Sequence, residues 1–417
     1  MTKYLILSYF FPPDGDIGGR RWAKFAKQLT CQGHQVDVLT RNFKGEKNLK
    51  WLSDTDVYRA KINYFDDHYP FVLSKTNLNL WDKFKYKIAL RRLQNTVKGN
   101  YYDPTCMLDA DFLEIVKQLI SEKQIEVVIV SGFPFCWQHL LTSIKAECPR
   151  TKFIADFRDP WLNNQTGYGY MALNEQRFNM EVTYEKSVIE HFDGIFSVSK
   201  EMNDYFRELV PSVNANKFFE VTNGFDNEDK QLLTAEIQQN EKMTFVYTGS
   251  LYNGLEYILP EFVESLKLMD NQEELDFEFK FFGTAPKEFQ DDIAHLNNVT
   301  FYGKVTLERA HQELAMADYA LIFLNKDLLF SRSTKLYEAL SYGKKIILIA
   351  SNGATAEFLT SKNLGYHCSE GNVHAKLKEI ISKGRSDIED TPFDINQFNV
   401  EEIAKEIDIF VNQIPLP

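Results

Sequence analysis

The chain has 417 residues, 44% hydrophobic and 25% charged, with 33 Phe and 20 Tyr; at roughly 100 to 200 residues per domain this supplies two packed cores and excludes a single small module or a mainly disordered chain. With 59 acidic against 47 basic residues the net charge is −12, which argues against binding nucleic acid through its phosphates and requires any anionic ligand to meet a local basic patch. The five cysteines, Cys31, Cys106, Cys136, Cys148 and Cys368, are odd in number and lack a C-x-x-C pair, the pattern of neither a disulfide framework nor a zinc site, so a reducing cytoplasm is the expected setting.

The longest apolar stretch, residues 4–11, is far short of the roughly 20 residues that span a bilayer, and Pro12-Pro13-Asp14-Gly15 follows at once in place of a cleavage site. It reads as a first strand, with neither a transmembrane helix nor a signal peptide expected. Short apolar runs then alternate with amphipathic ones, the pattern of parallel sheets with helical crossovers. Strands are predicted at 4–8, 36–39, 127–130, 153–155 and 195–198, and helices at 21–31, 110–122 and 178–191. In the second half strands are predicted at 244–247, 278–282, 299–301, 319–323 and 345–349, with a helix over 336–342. Asn223-Gly224 and the polar run after it mark a boundary near residue 225. The expected architecture is α/β, with Rossmann-like domains at 1–225 and 226–397. Residues 398–417 end in a helix whose apolar face carries Ile403, Ile407, Phe410, Val411 and Ile414.

Three loops carry chemistry. After the first strand, Gly18-Gly19-Arg20-Arg21 opens a helix; two glycines there let backbone N–H groups approach an oxyanion, and the helix dipole adds favourable potential. The spacing is not G-x-G-x-x-G, and a tight turn with no ligand is the alternative. Second, Arg332-Ser333-Thr334-Lys335 precedes Leu336-Tyr337-Glu338: a hydroxyl N-cap, first-turn amides and a lysine make a phosphate grip, and Glu338 stands where it can accept from vicinal hydroxyls such as those of a ribose. Glu near a helix start also stabilises the dipole with no ligand at all. Third, Asp156-Phe157-Arg158-Asp159-Pro160-Trp161 follows a strand, so Asp156, Arg158 and Asp159 are the polar residues expected to face a cleft, with an internal Arg–Asp pair as the competing reading. Residues 163–170, rich in Gly and Tyr, suit a mobile acceptor loop or ordinary surface. Lesser signals are the strand-end loops at Ser131-Gly132, Thr248-Gly249-Ser250 and Gly283-Thr284.

One segment departs from the acidic whole. Trp81–Lys98 carries Lys83, Lys85, Lys87, Arg91, Arg92 and Lys98 against Asp82. As a helix it places Tyr86, Leu90, Leu93 and Val97 on one face and Trp81, Phe84 and Ile88 on another, which fits an anionic membrane surface or a solvated helix equally. No H-E-x-x-H, G-x-S-x-G or Asp-x-Asp cluster is present, and no metal site is expected.

Taken in order, the Phe-Pro-Pro and Gly-Gly loop, Asp156–Trp161, Ser197-Val198-Ser199-Lys200, Val221–Asp226, Tyr247–Ser250, Phe301–Val305, Ala317-Asp318-Tyr319 and Ser333–Gly343 resemble a family 4 retaining glycosyltransferase of the GT-B type, a group with many bacterial polysaccharide and lipopolysaccharide enzymes. The resemblance implies two Rossmann-like domains facing across a cleft, a nucleotide-sugar donor on the second, the acceptor on the first, and a terminal helix returning to the first domain. It places Gly18 and Gly19 by the donor diphosphate, Ser333, Thr334 and Lys335 gripping it, Glu338 on the ribose and Phe301–Lys304 beside the base. Arg20, Gly249, Ser250, Lys304 and Arg332 join the donor set, and no metal or other cofactor is implied. The sequence departs from the family twice: Phe330 stands where a first Glu precedes Glu338, and Ser250-Leu251-Tyr252 replaces an Arg and Lys after the Thr-Gly step.

The expected function is sugar transfer from a nucleoside-diphosphate-sugar to a glycan or polyprenyl-linked acceptor, in a cytoplasmic protein peripheral to the membrane. A sugar-nucleotide 2-epimerase and a catalytically silent GT-B binding protein are the rivals.

Overall fold

In the computed structural model the described residues are 1–12, 19–42, 60–65, 79–97, 103–108, 110–162, 174–233, 240–251, 254–270, 272, 275–387 and 393–415. They form two compact units, Met1–Thr222 with Val400–Pro417, and Asn223–Asn399. The division falls a few residues from 225 and 397 because the segments that pass between the units pair with each other inside the second: Phe225 N donates to Phe398 O at 3.0 Å, and Phe225 bridges Asn399.

In the first unit β1 (Lys3–Leu7), β2 (Gln35–Arg41), β3 (Lys61–Phe65), β4 (Val127–Gly132), β5 (Lys152–Phe157), β6 (Gly194–Ser197) and β7 (Phe218–Glu220) form one parallel sheet in the order β3-β2-β1-β4-β5-β6-β7. Helices cover both faces, so its central strands read as unbroken apolar runs: Tyr4, Leu5, Ile6 and Leu7 are all fully buried. The Val400–Gln413 helix lays Ile403, Ile407 and Val411 against Tyr4, Ile6, Trp22 and Phe25. Each such side chain contributes about 1.5–3 kcal/mol by leaving water. Polar ties fix its register, with the Tyr4 hydroxyl donating to Asp408 at 2.7 Å and Lys152 Nζ to Val411 O at 2.9 Å.

In the second unit β8 (Met243–Ser250), β9 (Phe277–Thr284), β10 (Val299–Gly303), β11 (Tyr319–Phe323), β12 (Lys345–Ile349) and β13 (Gly365–Cys368) run parallel in the order β10-β9-β8-β11-β12-β13. Its core is aromatic: Phe245 stacks between Phe279 and Tyr319 at 4.5 and 5.2 Å, and Phe262 meets Phe323 edge-on at 5.1 Å. The strand order reverses between β1 and β4 in one sheet and between β8 and β11 in the other. Those two points are where open α/β sheets bind ligands.

The strands that sequence reading misses are β3, β7 and β13. β3 and β13 keep one buried residue each, and β7 has three residues in all, so none shows the apolar run on which the others were identified. The cysteine reading also needs correcting: Cys106 and Cys136 are paired as a disulfide, their Cα atoms 5.3 Å apart. An odd total hid a pair brought together from 30 residues apart.

Candidate functional site

In the second unit the site grows from two glycines at strand ends. Gly249 closes β8 with φ +134° and Gly283 closes β9 with φ +132°, a backbone region that side chains rarely adopt. A Cβ on Gly283 would run into the Gly249 carbonyl, and a Cβ on Gly249 would run into Lys335 Nζ. The bare backbone therefore makes room for the ammonium, which lies 5.0 Å from the centre of the Tyr247 ring. The Tyr247 hydroxyl donates to Ser250 O at 2.7 Å, and the Thr284 hydroxyl donates to Ser250 Oγ at 2.7 Å, closing the strand ends around the lysine.

Lys335 is half-buried, and no ion pair to it is found among the described residues. Burial pushes its ammonium down to about 8, with Glu338 one turn on pulling partly back. It sits in the first turn of the Thr334–Ser341 helix, whose N-cap Ser333 makes no side-chain capping bond. Leu336 N already donates to Ser333 O at 3.1 Å, so the Thr334 and Lys335 amides, the Ser333 hydroxyl and the desolvated Lys335 side chain lie on one short segment that follows β11, next to the reversal between β8 and β11. This is an arrangement suited to an anion.

The remaining donor-side candidates scatter. Ser250 and Lys304 are exposed, and the Arg332 guanidinium is buried 5.0 Å from the Phe358 ring. Glu338 is half-buried near Asp229 and His311. Tyr302, in the Phe301–Lys304 segment, stacks on Phe282 at 4.7 Å and remains 41% exposed, leaving ring surface for another flat group.

In the first unit Asp156 does not face solvent. It is fully buried at the end of β5, where Oδ1 accepts from Arg21 Nη2 at 3.0 Å and Oδ2 from Trp22 Nε1 at 2.7 Å and Ser131 Oγ at 3.3 Å. Arg21 also donates to Val221 O and Thr222 O, both at 2.7 Å. The internal Arg–Asp pair thus exists, with Arg21 rather than Arg158 as its cation. Arg158 and Asp159 are partly exposed and stand 3.5 Å apart. Gly19 packs against the Phe10 carbonyl, where a Cβ would sit at 2.7 Å, and Arg20 is buried. Gly18 and the 163–170 loop lie outside the described residues.

Sequence reading missed the groups that hold the Arg158–Asp159 loop. Glu181 and Glu185, one turn apart on the Glu175–His191 helix, are both fully buried. Glu181 accepts from the Trp161 indole at 2.7 Å and pairs with Arg177. Glu185 accepts from the Tyr205 hydroxyl at 3.4 Å, and the nearby backbone amides of Trp161 and Leu162 favour its charged form. Burial pushes the Glu181 carboxyl up to about 7 against the pull of Arg177, and the Glu185 carboxyl up to about 8. Arg177 also donates to Cys106 Sγ at 3.2 Å, and Asp103 accepts from Phe135 N at 2.6 Å and Cys136 N at 2.9 Å, tying in the loop after β4. The i, i+4 spacing of the two glutamates was legible; that their face is buried was not.

The Leu80–Val97 helix keeps Trp81 63%, Phe84 54% and Ile88 42% exposed, alongside exposed Lys83, Lys85, Lys87 and Arg91. Trp81 and Phe84 stack at 5.8 Å, with Lys85 Nζ 5.6 Å from the Trp81 ring. The side chains of Asp82, Tyr86, Leu90, Arg92, Leu93 and Val97, and all of Lys98, lie outside the described residues. None of the described helices is long and apolar enough to cross a membrane.

No family model matches the chain, and no curated protein matches its sequence. Solved structures do match. Sucrose-phosphate synthase from Thermosynechococcus elongatus aligns with TM-score 0.67 at 12% identity, over 99% of each chain. HepE of Anabaena, solved with UDP-glucose, aligns at 0.60 and 15%, over 99% of this chain and 100% of that one. UDP-GlcNAc 2-epimerase from Neisseria meningitidis, bound to UDP-GlcNAc, aligns at 0.53 and 12%, over 99% and 100%. With its sheets of seven and six parallel strands and a terminal helix returned to the first unit, the chain has the GT-B fold.

Proposed function

We propose that this protein is a glycosyltransferase that moves a sugar from a nucleoside-diphosphate-sugar to a glycan or polyprenyl-linked acceptor, in polysaccharide or lipopolysaccharide assembly. The observation that carries the reading is the desolvated Lys335 ammonium beside an uncapped helix N-terminus, in the space opened by Gly249. Breaking the bond from the sugar to the diphosphate leaves negative charge on a phosphate oxygen, and preorganised donors aimed there are the largest electrostatic help a protein can give. Lys335, the first-turn amides and Ser333 supply them, so we assign the diphosphate to this corner and expect no metal requirement. Thr334 and Ser250 belong to the same assignment, as do Lys304 and Arg332, with Glu338 on the ribose and Tyr302 beside the base.

On the acceptor side we assign Arg158 and Asp159 to the reaction, with Asp156 clamping the base of their loop. The new bond forms to an acceptor hydroxyl oxygen, whose proton leaves with the departing phosphate, and the family resemblance implies retained configuration. The Leu80–Val97 helix suits the cytoplasmic face of an anionic membrane: exposed aromatics insert, and each basic residue adds about 1 kcal/mol near such a surface.

The test is calorimetry and thermal shift with UDP, GDP, ADP and their sugar conjugates, with and without EDTA. A ligand bound by the native state alone raises the midpoint. One base standing out without metal, and labelled sugar then appearing on an acceptor, is the expected outcome; no binding at millimolar nucleotide overturns it. The epimerase relationship seen in the fold gives a second reading, distinguished by altered sugar and nucleoside diphosphate released with no acceptor present.

A further inference from the structure

We propose that His311 is a positioning residue for the donor, holding the Glu338 carboxylate in place through a relay that starts at the Tyr342 hydroxyl. The inference rests on the reading of Glu338 as the acceptor for ribose hydroxyls and adds the group that aims it.

Four residues from three separate pieces of the second unit meet here. Asp229 comes from the Asn227–Leu232 turn, His311 from the Leu307–Met316 helix, Glu338 from the Thr334–Ser341 helix, and Tyr342 directly follows that helix. A ring nitrogen of His311 and carboxylate oxygens of Asp229 and Glu338 all lie within 4.8 Å of one another. His311 is 4% and Asp229 7% exposed, and Glu338 is half-buried. Two carboxylates this close, away from bulk water, repel unless a donor stands between them. The imidazole is placed to be that donor.

Its orientation is set from behind. Nδ1 of His311 lies 2.8 Å from the Tyr342 hydroxyl, with the two rings edge to face at 5.9 Å. When Tyr342 donates to Nδ1, the ring hydrogen resides on Nε2, which then donates to a carboxylate. A hydroxyl that fixes a tautomer so that the imidazole can orient a carboxylate follows the logic of outer shells around working groups. Lys335 lies one turn before Glu338 on the same helix, so the relay acts on a carboxylate next to the proposed diphosphate corner.

The test measures UDP, GDP, ADP and their 2′-deoxy forms by calorimetry on the full chain and on His311→Leu, His311→Gln, Tyr342→Phe and Glu338→Gln, with melting curves on each. For the nucleotide that binds, His311→Leu is expected to weaken affinity roughly tenfold, the loss of one hydrogen bond to a charged group. His311→Gln, which keeps an N–H, recovers most of it. The loss shrinks with the 2′-deoxy nucleotide and vanishes in a Glu338→Gln background. If Glu338→Gln leaves affinity unchanged, the reading of Glu338 fails first. If Glu338→Gln weakens binding and folded His311→Leu and Tyr342→Phe do not, the relay is overturned while that reading stands. Stoichiometric Mn²⁺ binding that His311→Leu abolishes also overturns it, by making the three groups a cation site.

Discussion

The Lys335 ammonium lies over the Tyr247 ring, 5.0 Å from its centre, in space that exists because residue 249 has no side chain. Gly249→Ala tests this directly. At φ +134° the new methyl is strained and its Cβ meets Lys335 Nζ, so stability should fall by about 1–3 kcal/mol and the lysine should be displaced. Nucleotide affinity should drop roughly tenfold or more, which titration calorimetry with a melting curve resolves. An unchanged affinity would remove Lys335 from the donor site.

A second outcome follows from the same lysine's charge. Burial holds its ammonium down at about 8, and a bound diphosphate favours the charged form. Nucleotide binding at pH 8 should therefore take up about half a proton, falling towards zero near pH 6.5, where the ammonium is already formed. Calorimetry in buffers of differing ionisation enthalpy measures the uptake, and Lys335→Met should abolish it. Proton release on binding would contradict the assignment.

Asp156 and Arg158 should separate cleanly. Asp156→Ala leaves the buried Arg21 guanidinium without its carboxylate, at a cost of about 3–5 kcal/mol. Arg158→Ala, at a partly exposed position, should alter stability by about 0.5 kcal/mol or less while lowering transfer. Chemical denaturation of both variants decides it; equal stability losses would mean that the loop and the clamp are one structural feature.

The buried glutamates predict a pH-dependent stability. Their carboxyls are raised, to about 7 for Glu181 and about 8 for Glu185, so between the unfolded value and these the native state binds more protons than the unfolded one. Stability should thus fall as pH rises from about 5 to 8, by up to about 1.4 kcal/mol per pH unit for each group still protonated. Glu185→Gln should flatten the upper part of that slope in urea titrations. A slope that Glu185→Gln leaves intact would assign the effect to other groups.

Much of this was legible in the residues. Ten of the strands announce themselves as apolar runs, because a strand buried on both faces has no polar side to show, and the apolar stripe at Ile403, Ile407 and Val411 announces a docked terminal helix. Local chemistry likewise marked Ser333-Thr334-Lys335 and Gly249, since helix N-caps and glycine at strand ends are short-range features. Tertiary structure decided which side chains meet: that Asp156 answers Arg21 from 135 residues away, that Cys106 reaches Cys136, that Glu181 and Glu185 turn inward onto Trp161, and that His311 comes to Glu338. Periodicity encodes the face a residue occupies but not its partner on the facing element, because that partner is set by strand order and helix packing across long stretches of chain.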